Sequence, residues 1–254
     1  MIFWLLDEKM PVWDEDPPAF LDPVEASGLA AKRFPKRRAE WLHGRWAAKN
    51  LLQKRLPMCL KLPLSEIVIA NEPGGAPYAA LADKTHLPVR LPGCLSITHS
   101  GPLAACALAL DPRLRVGIDL EKIEARPAGF FEAYFTPPEN AYLRNCPPES
   151  LPEVLTLFWS ARESVLKALR KGLSLDTRQV EIRLVEGDGS FLSGWQRFSV
   201  AGNVIKDSIP APWGPWVWAG WWQVYQGYIL TLAAACQVGE LGQRLGGEIP
   251  LQVG

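Results

Sequence analysis

Placed on a helix of 3.6 residues per turn, the stretch 151–170 gathers Leu155, Phe158, Val165, Leu166 and Leu169 on one apolar face. Arg162 falls in the middle of that face. A guanidinium stays protonated and is costly to bury alone, so Arg162 needs an anion in front of it. Glu163 and Lys167, four residues apart, form a stripe with Trp159 on the shoulder of the same face. The helix therefore offers one carboxylate and two cations at the edge of whatever it packs against.

Upstream, Arg115–Ile123 (RVGIDLEKI) alternates as a strand, with Val116, Ile118 and Leu120 on one side and Gly117, Asp119 and Glu121 on the other. Each charged pair has a plain reading: Asp119 and Glu121 as guards of a strand edge, Glu163 and Lys167 as an i, i+4 surface pair. Taken together they read differently. Like carboxylates on one strand face repel, and Arg162 on an apolar face lacks a partner. Asp119, Glu121 and Glu163 make an all-oxygen donor set that suits a Mg²⁺ which keeps waters and borrows oxygens from a phosphate. A metal-bound polyphosphate would answer both costs.

The rest of the chain supplies the frame. Ile2–Leu6 reads as a strand, and Val24–Phe34 and Lys36–Leu56 as helices broken at Pro35. Ile67–Ala70 reads as a strand and Glu72–Pro77 (EPGGAP) as a turn. Cys94–Thr98 and Leu103–Leu110, joined by a tight turn at His99–Pro102, form a three-strand succession with the Asp119 strand. Phe130–Phe135 and Pro137–Arg144 are short helices, the second with Thr136 as N-cap and Pro137 at the first helical position. The long helix stops at Lys171-Gly172. Val180–Val185, Gly194–Val200, Trp216–Val224 and Tyr228–Ala235 read as strands, and Gly239–Gly254 as a loose tail. Helices followed by strands thus occur twice. The expected fold is α+β, with two pseudo-symmetric halves, 1–123 and 124–254, each a small antiparallel-rich sheet packed by a long helix, and the active site at their interface.

Composition narrows the function classes. Of 254 residues, 48% are hydrophobic and 21% charged, an ordinary globular mix. The 27 basic and 27 acidic residues cancel, so no global field recruits nucleic acid or a membrane surface. Recognition by charge must be local. Lys32, Arg33, Lys36, Arg37 and Arg38, with Arg45 two helical turns on, concentrate positive charge in a run that alone reads as a solvated helix face. The five Cys show no C-x-x-C pair and the three His no H-E-x-x-H spacing, against zinc or a disulfide framework and for a reducing compartment. No apolar run reaches spanning length, and the first residues carry neither a long apolar core nor a basic leader, so the expected location is the cytoplasm. Trp213, Trp216, Trp218, Trp221 and Trp222 cluster as a sheet core with a half-exposed face, or as an aromatic platform for a sugar or base.

VGIDLEKIEARP (Val116–Pro127) and FWSARESVLKA (Phe158–Ala168), the latter followed by KGLSL (Lys171–Leu175), resemble the paired signatures of the 4′-phosphopantetheinyl transferase superfamily. SITHSG (Ser96–Gly101), the GGAP turn and the basic Lys32–Arg45 region are similar to its larger, surfactin-synthetase-type branch, whose members are single-chain pseudo-dimers. The resemblance implies a monomeric enzyme that moves 4′-phosphopantetheine from coenzyme A to a serine of an apo acyl- or peptidyl-carrier protein, with Mg²⁺, releasing 3′,5′-adenosine bisphosphate. It implies Asp119, Glu121 and Glu163 as Mg²⁺ ligands, Lys167 and Arg162 on phosphate oxygens, and Glu163 also as the base. Ser96, His99 and Ser100, with Lys32 and Arg45, would hold the 3′-phosphoadenosine end, and Gly75 to Pro77 would lie along the adenine. Two positions depart from the family pattern. Arg162 stands where Lys is usual, and Ala76 where the turn often carries a cation, with Arg90 or Lys84 as possible compensation. Phe130, Phe131 and Tyr134 either dock an acidic helical carrier or pack beneath the second half. The alternative function is a catalytically silent coenzyme A or nucleotide-binding module.

Overall fold

In the computed structural model, which describes residues 1–82, 88–170, 175–185, 194–201, 216–237 and 251–253, the chain opens with β1 (Ile2–Asp7), α1 (Pro23–Ala30) and α2 (Pro35–Arg55). Then come β2 (Ile67–Asn71), β3 (Pro77–Leu81), β4 (Val89–Arg90), β5 (Cys94–Ser100) and β6 (Leu103–Ala109). There follow β7 (Leu114–Lys122), α3 (Phe130–Tyr134), α4 (Pro137–Arg144) and α5 (Leu151–Ala168). The chain ends with β8 (Glu181–Leu184), β9 (Gln196–Ala201), β10 (Trp216–Tyr225), β11 (Tyr228–Gln237) and β12 (Leu251–Val253). Two compact units result, Met1–Pro112 with Pro250–Gly254, and Arg113–Ile249.

In the first unit β1 pairs with β6 and β6 with β5, all antiparallel, while β12 lies parallel beside β1. A smaller antiparallel sheet runs β2-β3-β4. α2 buries Ala47, Ala48, Leu51 and Leu52 in a core with Phe3, Leu5, Cys106 and Leu108. In the second unit the order is β7-β11-β10-β9-β8, antiparallel throughout. α5 buries Phe158, Ala161, Val165 and Leu166 in a core with Phe198, Trp222, Ile229 and Ala233. The α+β class and the repeated antiparallel arrangement are as expected. So is the break at Pro35: Phe34 is extended, as a residue before proline prefers, and α1 stops at Ala30, which leaves Lys32 in the connection.

The Asp119 strand is the main correction. β7 does not continue the β5–β6 pair; it pairs along Leu114–Lys122 with β11, in register from Leu114 opposite Cys236 to Lys122 opposite Tyr228. Its backbone groups are satisfied there, so the division falls after Pro112 rather than after Ile123, and Asp119, Glu121 and Glu163 share one unit. The Trp-rich stretch is sheet: Trp221 and Trp222 are buried in β10, with Trp216 and Trp218 half-buried. Lys84, the Lys171-Gly172 stop, Trp213 and the tail outside β12 lie outside the described residues. Among the described residues no helix is long and apolar enough to cross a membrane.

Arg162 corrects a second expectation. It is 0% exposed, and its anion is Glu139 on α4, which accepts from Nη2 at 2.5 Å. Arg162 Nε donates to Thr177 O at 2.8 Å and Nη2 to Val180 O at 2.9 Å. Glu139 also accepts from the cap backbone, Thr136 N, at 2.8 Å and from Ile182 N at 2.8 Å. The first unit repeats the device. Glu25 on α1 accepts from Asp22 N at 3.2 Å, from Ile69 N at 3.1 Å and from Lys49 Nζ at 2.5 Å. Lys49, also 0% exposed, donates further to Phe20 O at 2.8 Å and Leu64 O at 3.1 Å. Removing one partner of such a pair leaves a buried, unpaired charge. Glu139→Ala is therefore expected to destabilise the protein by about 3–5 kcal/mol, with a similar loss for Glu25→Ala, read from the midpoint of urea denaturation.

Candidate functional site

Gly117 decides how closely α5 approaches β7. A Cβ at this position would lie 1.8 Å from Ser164 O and 2.6 Å from Ala168 N, so only glycine lets the helix backbone close on the strand. The face of β7 carrying Gly117, Asp119 and Glu121 is thereby turned to α5. On it Lys167 Nζ donates to Asp119 Oδ1 at 2.6 Å and to Ile118 O at 3.2 Å. Glu121 accepts from Trp159 Nε1 at 3.2 Å and from Arg126 Nη2 at 3.0 Å. Glu163 has its Oε1 buried with no hydrogen-bond partner. Burial, followed by the charge of Asp119, pushes the Glu163 carboxyl up to about 7; Glu121 adds to the rise, while Lys167 and Arg162 oppose it. Burial and then Asp119 raise Glu121 as well, against Arg126 and Trp159.

These donors are hard oxygens on a strand and a helix, and the orphaned Glu163 Oε1 is an acceptor without a donor, so the set fits a cation such as Mg²⁺. Among the described residues no group of three or more His, Cys, Asp and Glu side chains is drawn together closely enough to hold a metal ion by itself. Lys167 holds Asp119, and Trp159 and Arg126 hold Glu121. The fit is to an open site, where the cation takes further oxygens from water and ligand. Arg162 is no part of it, since Glu139 and backbone carbonyls hold its guanidinium inside the core.

The first unit carries a recess of about 550 Å³ of opposite character. Arg37, Trp41 and Arg45, at i, i+4 and i+8 on α2, line it with Lys32, Glu40 and Asn71, with Gly75 and Pro77 from the turn, and with Ile97 and His99 from β5. The Arg45 guanidinium lies 3.5 Å from the Trp41 ring centre, and the Lys32 ammonium 5.4 Å. Arg45 Nη2 donates to Asn71 Oδ1 at 3.1 Å, and Asn71 Nδ2 to Gly75 O at 2.6 Å. Gly75, at φ 86, makes the turn in a conformation that favours glycine. Burial lowers Arg45 to about 10; burial, then Arg45 and Arg37, lower Lys32. A cation lowered by its cationic neighbours in a concave site, as Lys32 is by Arg45 and Arg37, marks that site as a place for an anion.

Of the residues expected at the nucleotide end, Lys32, Arg45, Gly75, Pro77 and His99 meet in this recess. Ser96 and Ser100 do not: they alternate with Ile97 and His99 along β5, and Ser96 is 3% exposed. Arg90 is turned elsewhere, to Glu72 at 2.6 Å and over the Tyr78 ring, so it does not replace the cation missing at Ala76. Arg37, Trp41 and Asn71 are additions. The spacing Arg37–Trp41–Arg45 carried that signal, but Trp41 reads as core.

Residues 115–233 match the family model of the 4′-phosphopantetheinyl transferase superfamily, and Asp119, Glu121, Glu163 and Lys167 all fall within that segment. The segment is a domain of that superfamily. The 4′-phosphopantetheinyl transferase of Bacillus subtilis is 31% identical over 110 residues, 43% of this chain and 44% of the relative. The 4′-phosphopantetheinyl transferase HetI of Nostoc sp. is 28% identical over 134 residues, 48% of this chain and 54% of the relative. The chain spans about half the length of the curated relatives it matches. A solved ACPS-CoA complex of Chronobacterium ammoniagenes is 19% identical with a TM-score of 0.38, over 50% of this chain and 98% of that one.

The superfamily domain's acidic cluster has a measurable cost. In the metal-free protein folded Glu163 keeps its proton up to about pH 7, whereas the unfolded carboxyl loses it near its ordinary 4.5. Protonation of Glu163 therefore favours the folded state up to about pH 4.5, and this advantage is lost as the pH rises through 7. Glu163→Gln cannot ionise. Allowing for screening at its exposed edge, the variant is expected to exceed the parent at pH 8 by about 2 kcal/mol, and to match it near pH 4, in melts with EDTA.

Proposed function

We propose that this protein transfers the 4′-phosphopantetheine group of coenzyme A to a serine of an apo acyl- or peptidyl-carrier protein, in a Mg²⁺-dependent reaction that releases 3′,5′-adenosine bisphosphate. The observation that carries this reading is the gathering of Asp119, Glu121, Glu163 and Lys167 on the facing sides of β7 and α5, inside the superfamily segment. The relatives named as 4′-phosphopantetheinyl transferases support it. On the same reading the protein works in the cytoplasm as a monomer.

Asp119, Glu121 and Glu163 are the residues that would hold Mg²⁺. Bound there, the cation would neutralise charge on the pyrophosphate. Glu163, in its ionised form, takes the proton of the attacking serine. A bond forms from the serine oxygen to the β-phosphorus, and the bond from that phosphorus to the bridging oxygen breaks. That oxygen departs with the nucleotide's 5′-phosphate. Lys167 supplies a cation for the phosphoryl oxygens, so the protein works by positioning and electrostatics. In the recess Lys32, Arg37, Arg45 and His99 receive the 3′-phosphate, and the Gly75–Pro77 turn lies along the adenine. Phe130 packs on Tyr134, Phe135 and Trp159, and Phe131 is half-buried in the same core, which leaves Tyr134 as the exposed ring for a carrier.

The test is intact-mass measurement of apo carriers from fatty-acid, polyketide and peptide pathways after incubation with the protein, coenzyme A and Mg²⁺. One added phosphopantetheine mass is expected. Asp119→Ala should reduce transfer by on the order of 100-fold or more while the circular dichroism spectrum is retained. Coenzyme A binding without any adduct across the panel would replace this reading by the silent binding module. Arg45→Ala is expected to raise the KM for coenzyme A about tenfold with kcat little changed, because it removes binding common to ground and transition states.

A further inference from the structure

Glu121 is held by both of its oxygens. Trp159 Nε1 donates to Oε1 at 3.2 Å and Arg126 Nη2 to Oε2 at 3.0 Å. Both donors are themselves fixed. Trp159 stands four residues before Glu163 on α5, so the indole and the third acid occupy adjacent turns of one helix. Its ring is packed by Phe130 at 5.3 Å and Tyr134 at 5.5 Å, edge-on in both cases. The Arg126 guanidinium lies 5.5 Å from the centre of the same Phe130 ring. One aromatic side chain of α3 thus supports both of Glu121's donors.

A carboxylate set beside two others has two ways to relieve repulsion: it turns away, or it takes a proton. Arg126 and Trp159 oppose the first, since an N–H donor on each oxygen fixes the rotamer. Such an arrangement fixes the separation of Glu121 from Glu163, because Trp159 and Glu163 ride on the same helix.

We propose that Trp159 and Arg126 are positioning residues, which clamp Glu121 in one orientation so that the affinity of the Asp119–Glu121–Glu163 site for a divalent cation depends on an indole N–H and a guanidinium outside the site. This rests on the reading of those three acids as metal ligands. Groups that orient a ligating side chain are typically worth about 10- to 100-fold in metal affinity. Trp159→Phe keeps an aromatic ring against Phe130 and loses the N–H together with part of the ring surface.

The test is Mn²⁺ binding to the full chain in the presence of coenzyme A, by electron paramagnetic resonance of the free ion and by calorimetry. Trp159→Phe and, separately, Arg126→Met are each expected to raise the Mn²⁺ Kd by on the order of tenfold. Coenzyme A binding in EDTA and the circular dichroism spectrum should stay as in the parent. In a Glu121→Ala background Trp159→Phe should cause no further loss, because the clamp has nothing left to hold. Parental Mn²⁺ affinity in both folded single variants, or an undiminished Trp159→Phe effect in the Glu121→Ala background, would overturn the clamp alone. A parent that binds coenzyme A but no Mn²⁺ would overturn the metal-site reading, and the clamp with it.

Discussion

A glutamate buried in the first turn of a short helix, bound to a cation buried on a long one, holds each unit in register. Neither charge is tolerable alone in a core. Glu25 and Glu139 are satisfied by the cap backbone, by a strand amide and by the cation. Lys49, and Arg162 through Nε and Nη2, donate to the glutamate and to backbone carbonyls of the flanking segments. Each pair therefore ties a short helix, a long helix and a hairpin strand at one point. The separations agree: 24 and 23 residues from glutamate to cation, 44 and 43 from glutamate to strand amide.

In the second unit this tie sets the chemistry. With Arg162 drawn into the core toward Glu139, the next residue is rotated about 100° round the helix and Lys167 lies one turn further on. Gly117 then brings the helix backbone onto β7. Glu163 and Lys167 are consequently held where the Asp119 and Glu121 side chains emerge, and the charge coupling among them follows from packing. The buried arginine supports the site by holding the helix that presents it.

Most elements were legible from periodicity, capping and proline, and so was the shared strand face of Asp119 and Glu121. The partner of Arg162 was not. Thr136 was read as an N-cap, yet an N-cap pattern says nothing about where the far side of its glutamate points, and Glu139 lies 23 residues away. The Asp119 strand went to the wrong sheet because alternation specifies a face and leaves the neighbour open; only the ladder to β11 decides it. The duplication was more legible than element order alone made it. Aligning Lys49 with Arg162 also aligns Trp46 with Trp159, Ala48 with Ala161 and Lys54 with Lys167.

That alignment also locates where the copies part. Asn50 stands opposite Glu163, and the first long helix lacks the acid. Trp41 and Arg45 stand opposite Val154 and Phe158, so the face that lines a basic recess in one unit is apolar core in the other. A net charge of zero conceals two local imbalances of opposite sign, cations near Trp41 that lower Lys32 and carboxylates beside Lys167 that raise Glu163. Each imbalance costs folding free energy in the empty protein and is relieved by the opposite charge. A ligand of opposite charge at either place relieves that imbalance, and any ligand that binds only the folded state returns the cost as stability. Outside the two buried ion pairs, the charges the fold leaves least compensated are therefore those with which each unit would recognise a ligand.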